Sequence, residues 1–134
     1  MNYKNPYEHL SGKLNNRKLI AASFSEKTYD TGTVKLNFVV GPNNGTSLLL
    51  IPAQIGIWES YKKVLLPLSK IFQVYAIDVR GHGKSSWTPG YYSWKIIGED
   101  IKLFIENVIK QKVIISGNSS GGIIALWCAA NIPE

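Results

Sequence analysis

Val113-Ile114-Ile115-Ser116-Gly117-Asn118-Ser119-Ser120-Gly121-Gly122-Ile123-Ile124-Ala125-Leu126 is the stretch that decides the fold. Lys112 to Ser116 reads as a buried strand and Ser120 to Asn131 as a helix, so a G-x-S-x-G pattern spans a strand-to-helix turn. Such a turn holds its serine in a strained conformation with the hydroxyl above the sheet. Side chains at positions 117 and 121 would collide with the neighbouring strand and helix, so Gly117 and Gly121 leave that space empty. The helix begins just after the serine, and its free N–H groups and positive dipole end face the hydroxyl. Ser119 is therefore the candidate nucleophile, and the N–H of Ser120 a candidate donor to a developing oxyanion. The five-residue pattern alone also admits a plainer reading, a glycine-rich turn that lets a helix pack close to a strand. The strand before it and the helix after it favour the chemical reading.

Upstream of this turn the pattern alternates. Lys27 to Thr31 and Val34 to Val40 predict two short strands around Thr31-Gly32-Thr33, the second with Val34, Leu36 and Phe38 on one face and Lys35 and Asn37 on the other. Gly41-Pro42-Asn43-Asn44-Gly45 is turn chemistry. Ser47 to Ile51 is a continuous apolar run, as in a strand covered on both faces. Trp58 to Ser69 predicts a helix, Phe72 to Ile77 a buried strand and Asp78 to Gly90 a glycine-rich loop. Ser93 is placed to cap a helix whose apolar stripe is Ile97, Ile101, Phe104, Ile105 and Val108. Alternating strands and helices of this length imply parallel βαβ units with helices on both sheet faces. Residues 1–24 have weak periodicity and predict a loose, partly helical lead-in to one domain over residues 1–134.

From about Val34 onward the chain resembles the N-terminal half of an α/β-hydrolase of the esterase, lipase and haloperoxidase type. Four blocks carry the resemblance by their order and spacing. They are Leu48-Leu49-Leu50-Ile51 leading to Trp58-Glu59-Ser60-Tyr61, then Asp78-Val79-Arg80-Gly81-His82-Gly83-Lys84-Ser85, the helix around Asp100, and Gly117 to Gly122 followed by Ala125-Leu126. The resemblance implies an open, mostly parallel sheet and a serine–acid–histidine triad in that chain order. It also implies a second oxyanion donor in the loop after Ile51. There Pro52-Ala53 replace the family's His-Gly, which makes Gln54 the candidate donor. Proline has no N–H and alanine resists positive φ, so this loop is expected to be set differently. An aspartate-nucleophile epoxide hydrolase or dehalogenase is disfavoured, because the turn holds serine.

Other patterns fail on inspection. Gly83-Lys84-Ser85 lacks the upstream glycine of a phosphate loop, since that position is Asp78, and the third glycine of a dinucleotide fingerprint would fall at Ser86. His82 reads as a turn residue, His9 sits in the lead-in, and Asp78 precedes the nucleophile where the family's acid follows it. Trp87, Tyr91, Tyr92 and Trp94 fit a pocket mouth or simple loop packing equally well. No His, Cys and carboxylate spacing suggests a metal, and no cofactor is expected. Cys128 is the only cysteine, so no internal disulfide is expected, and it reads as a small buried residue.

The chain has 134 residues, 45% hydrophobic and 18% charged, with net charge +6 from scattered lysines and arginines. No basic groove interleaved with aromatics points to nucleic acid. No leader-like apolar core and no membrane-length run are present, so a cytoplasmic location is expected. After Ser119 the sequence has only Glu134 as an acid and no histidine. The expected function is ester hydrolysis of a small molecule through Ser119, with this chain alone inactive for want of a base. A truncated gene product is the favoured origin, with a fragment of an active hydrolase or a non-catalytic binding or assembly module as alternatives. The strand ending at Ser116 would lack one neighbour, so self-association or a C-terminal half at that edge is expected.

Overall fold

The computed structural model of the chain describes residues 4–10 and 12–133. Glu134, named above as the one acid after Ser119, lies outside them. A short helix α1 (Arg17–Ala21) lies in the lead-in, capped by the Asn16 side chain, which accepts the Leu19 N–H at 3.2 Å. A hairpin follows, β1 (Ser25–Asp30) and β2 (Lys35–Val40), closed by the Thr31 N–H on the Val34 carbonyl at 2.9 Å. The chain continues through β3 (Thr46–Ile51), a 3-10 turn (Trp58–Tyr61), α2 (Lys62–Leu68) and β4 (Phe72–Ile77). It ends with α3 (Trp94–Phe104), a π-helical turn (Ile105–Ile109), β5 (Val113–Gly117) and α4 (Ser120–Asn131). Among the described residues no helix is long and apolar enough to cross a membrane.

The five strands form one open sheet in the order β1-β2-β4-β3-β5. β3 pairs parallel with both β4 and β5, while β2 runs antiparallel to β1 and to β4. From β3 the chain first crosses to β4 on one side, then back over β3 to β5 on the other. Helices after successive strands must therefore fall on opposite faces if both crossovers are right-handed. The packing agrees. Leu48, Leu50, Val74 and Ala76 face Leu19, Phe24, Trp58 and Leu65, whereas Leu49, Ile51, Tyr75 and Ile77 face Ile97, Ile101, Phe104, Ile124 and Cys128. The strand order reverses at β3, so the crevice beyond its C-terminal end is the switch point where open α/β sheets bind ligands.

Strand limits differ from the sequence reading by one or two residues, and two local features go beyond it. Residues 58–69, expected as one helix, begin as a 3-10 turn before α2. Asn37, expected on a polar outer face, is buried. Its side-chain amide donates to Asp78 Oδ2 at 3.0 Å and to Glu26 Oε1 at 2.9 Å, which satisfies it inside the protein.

Candidate functional site

Ser119 stands between β5 and α4 with φ 54° and ψ −117°, is exposed, and makes no capping bond with its side chain. A non-glycine residue at positive φ is costly, by about 1–3 kcal/mol, and needs surroundings that hold it there. Here those surroundings are close backbone contacts. A Cβ on Gly117 would run into the Gly121 backbone, and one on Gly121 would run into the carbonyl oxygens of Ile51 and Pro52. The Asn118 N–H donates to the Ile51 carbonyl at 3.1 Å, tying the turn to the end of β3. Gly117 and Gly121 thus let strand, helix and the β3 loop meet with no side chain between them.

The first turn of α4 is closed by Gly121 N–H on the Asn118 carbonyl at 2.9 Å and Gly122 N–H on the Ser119 carbonyl at 2.8 Å. Among the described residues no hydrogen bond is made by the N–H of Ser120 or of Gln54. Each is an unpaired donor at the C-terminal edge of the sheet, the first at a helix N-terminus.

The loop after β3 contains one residue at positive φ. The positive φ falls not on Ala53 but on Ile55, at 60°. Residues 53–56 form a tight turn with Gly56 N–H on the Ala53 carbonyl at 2.8 Å, and exposed Gln54 lies at its corner. Tyr61 Oη donates to the Ile51 carbonyl at 2.7 Å where the loop leaves β3. Tyr7 Oη donates to the Ile55 carbonyl at 2.9 Å near the loop's crest. Tyr7 was not singled out from sequence, and Tyr61 only as part of the Trp58–Tyr61 block; their partners lie 48 and 10 residues away, and no local pattern announces either contact.

Asp78, at the end of β4, is buried and fully engaged. Its carboxylate accepts the Trp58 N–H at 2.7 Å, the Asn37 amide at 3.0 Å and the Lys84 N–H at 3.1 Å. Burial pushes its pKa above the usual carboxylate range, opposed by those donors. Asp78 fastens loops, with Oδ1 taken by the Trp58 N–H and Oδ2 by the Asn37 amide and the Lys84 N–H. His82 is a turn residue by its backbone, its N–H on the Val79 carbonyl at 3.0 Å and its carbonyl accepting the Ser85 N–H at 3.1 Å. Its Nδ1 lies 3.1 Å from the Arg80 carbonyl, which can only accept, so that bond places the proton on Nδ1. Of the aromatic residues 87–94, Trp87 and Tyr92 pack at 6.2 Å between ring centroids, while Tyr91, Tyr92 and Trp94 are all exposed. Among the described residues no three His, Cys, Asp or Glu side chains converge as metal ligands would.

Comparison with known proteins places this geometry. The profile of the alpha/beta hydrolase fold matches residues 46–134. Epoxide hydrolase 4 of Mus musculus is 29% identical over 108 residues, 78% of this chain and 30% of that protein. The magnesium-chelatase 30 kDa subunit of Rhodobacter capsulatus is 31% identical over 94 residues, 69% of this chain and 33% of that protein. The chain therefore spans about a third of the length of these curated relatives. Among solved structures, a membrane phospholipase A described as a bacterial virulence factor superposes with a TM-score of 0.79 at 25% identity, over 87% of this chain and 38% of that one. With its strand order, its switch-point crevice and a profile match over most of its length, the chain belongs to the α/β-hydrolase fold family.

Proposed function

We propose that Ser119 is the nucleophile of a serine hydrolase acting on a small carboxylic ester by acyl transfer, with the N–H groups of Ser120 and Gln54 as oxyanion donors. The observation that carries this reading is the conformation of Ser119, strained and exposed at the junction of β5 and α4. Strain of this kind persists only where the surroundings impose it, and here it presents a hydroxyl next to the unpaired N–H of Ser120. The reading requires a triad acid and a histidine other than Asp78 and His82, both of which hold loop structure. Epoxide opening, the activity named for the mouse relative, fits less well. A serine alkoxide opening an epoxide would leave an ether, which water does not cleave, whereas an acyl-serine ester is readily hydrolysed.

Turnover of p-nitrophenyl acetate tests this. In a serine protease, loss of the histidine lowers kcat by on the order of 10⁶, about 8 kcal/mol of barrier. The 134-residue chain alone should therefore run barely above background, with any residual rate unchanged by His82→Ala. Addition of the C-terminal half of a full-length relative should restore turnover that Ser119→Ala abolishes. Restored turnover that survives Ser119→Ala would remove the nucleophile, and robust hydrolysis by the chain alone, lost in His82→Ala, would reassign the base. Binding of an ester without any Ser119-dependent turnover in the complemented protein would favour a binding or assembly module.

A further inference from the structure

The loop beyond β3 is tied down at Ile51 by the Asn118 N–H and the Tyr61 hydroxyl and at Trp58 by Asp78, but its crest is held in another way. In the Ala53–Gly56 turn the third residue, Ile55, has φ 60°. That position in a turn of this kind belongs to glycine or asparagine, and a β-branched residue rarely adopts it. The Ile55 side chain is 81% exposed, so its own packing does not impose the conformation. The crest is held instead through the Ile55 carbonyl, where the Tyr7 hydroxyl donates at 2.9 Å. Tyr7 is itself placed by the lead-in: its N–H meets Asn5 Oδ1 at 2.9 Å, and its carbonyl accepts the Leu10 N–H at 2.9 Å. Its ring lies beside that of His82, with centroids 5.9 Å apart. Burial, and then the charge of Asp78, push the phenol above its ordinary value of 10.0, so it remains a donor across the neutral range.

We propose that Tyr7 is a positioning residue for the oxyanion loop, its hydroxyl holding the Ile55 carbonyl and thereby the crest of the turn that has Gln54 at its corner. This rests on the reading of Gln54 as an oxyanion donor and gives the lead-in a part in it. Without the hydroxyl, the loop is tied to the fold only at its two ends, Ile51 and Trp58, and the Gln54 N–H moves with the loosened crest instead of holding one position for an oxyanion.

The test reads the loop backbone, not turnover. In the isotope-labelled 134-residue chain, Tyr7→Phe should broaden the Gln54, Ile55 and Gly56 amides and leave those of β3 to β5 sharp. Hydrogen exchange followed by mass spectrometry gives a second reading for samples that tumble slowly. The segment 52–57 should exchange about three- to tenfold faster in Tyr7→Phe, the loss of one modest hydrogen bond, with β3 to β5 unchanged. Sharp Gln54 and Gly56 amides with unaltered exchange in Tyr7→Phe would overturn the proposal, as would equal broadening across β3 to β5. Ser119→Ala should leave all these signals in place, so the loop assignment and the nucleophile assignment fail separately.

Discussion

At the scale of single residues, conformation and chemistry are joined most tightly where the backbone is strained. Ser119 keeps φ 54° because Gly117, Gly121 and the end of β3 leave no room for a relaxed turn. That arrangement is legible in sequence, since two glycines at fixed spacing from a serine are a local signal. Ile55 at φ 60° is not legible, because nothing local in the sequence asks a β-branched residue for positive φ, and neither is the bond from Tyr7, 48 residues away, to its carbonyl. Cys128 shows the opposite case, a reactive group silenced by its surroundings. It is fully buried between α4 and the sheet, and burial pushes its thiol up to about 11. The thiolate is the reacting form, so at pH 8 only about one thiol in a thousand is ionised, even before access is considered. Iodoacetamide at pH 8 should leave the native chain unlabelled over an hour and label one site after guanidinium denaturation. Labelling of the native chain at the rate of a free thiol would show that α4 does not stay docked.

Among the elements, the loop after β4 and helix α3 depend on each other through one ion pair. Arg80 Nε and Nη2 donate to Asp100 Oδ2 and Oδ1, both at 2.8 Å, with side chains only 11% and 5% exposed. A bidentate pair this buried orients the loop that carries Gly81 to Lys84 against α3. Removing one partner strands a charge in a poorly solvated place, which costs about 3–5 kcal/mol. Asp100→Asn should lower the urea-unfolding free energy by that order, and Arg80→Met with Asp100→Leu should recover much of it. Single substitutions that cost less than about 1 kcal/mol would place the pair among the weak surface bridges. The Asp78–Ser85 block and the helix around Asp100 were both recognisable in the sequence, but the bond between them was not, because charge pairing across 20 residues has no period. The strands β3, β4 and β5 were legible for a different reason: a strand covered on both faces must be apolar almost throughout. β2 was misread at Asn37, whose burial depends on acceptors from β1 and from the end of β4.

For the whole molecule, the sheet is covered unevenly. Its middle lies between two apolar cores, while β5 forms an open edge with backbone groups unpaired on one side. Ile114 stands in register with buried Leu48 and continues the face that α1 and α2 cover, but it is 48% exposed. Ile123 and Leu126 on α4 are 48% and 71% exposed, and a groove of about 860 Å³ runs along β5 and the end of α4, lined by Val113, Ile115, Ala125 and Ile132. An apolar edge strand of this kind templates pairing with another chain, and a second copy of β5 offers the same unpaired edge. The net charge of +6 opposes association, but scattered charges are screened beyond about 8 Å at physiological salt. The 134-residue chain should therefore self-associate in light scattering, more strongly as salt is raised from 20 to about 150 mM, the range over which screening removes the repulsion. Ile114→Lys puts a charge in the middle of the edge strand and should shift the population toward monomer without loss of helical signal. A chain that stays monomeric at raised salt, with slow amide exchange across β5, would show that this edge is protected from within, and the argument from its exposed side chains would fall.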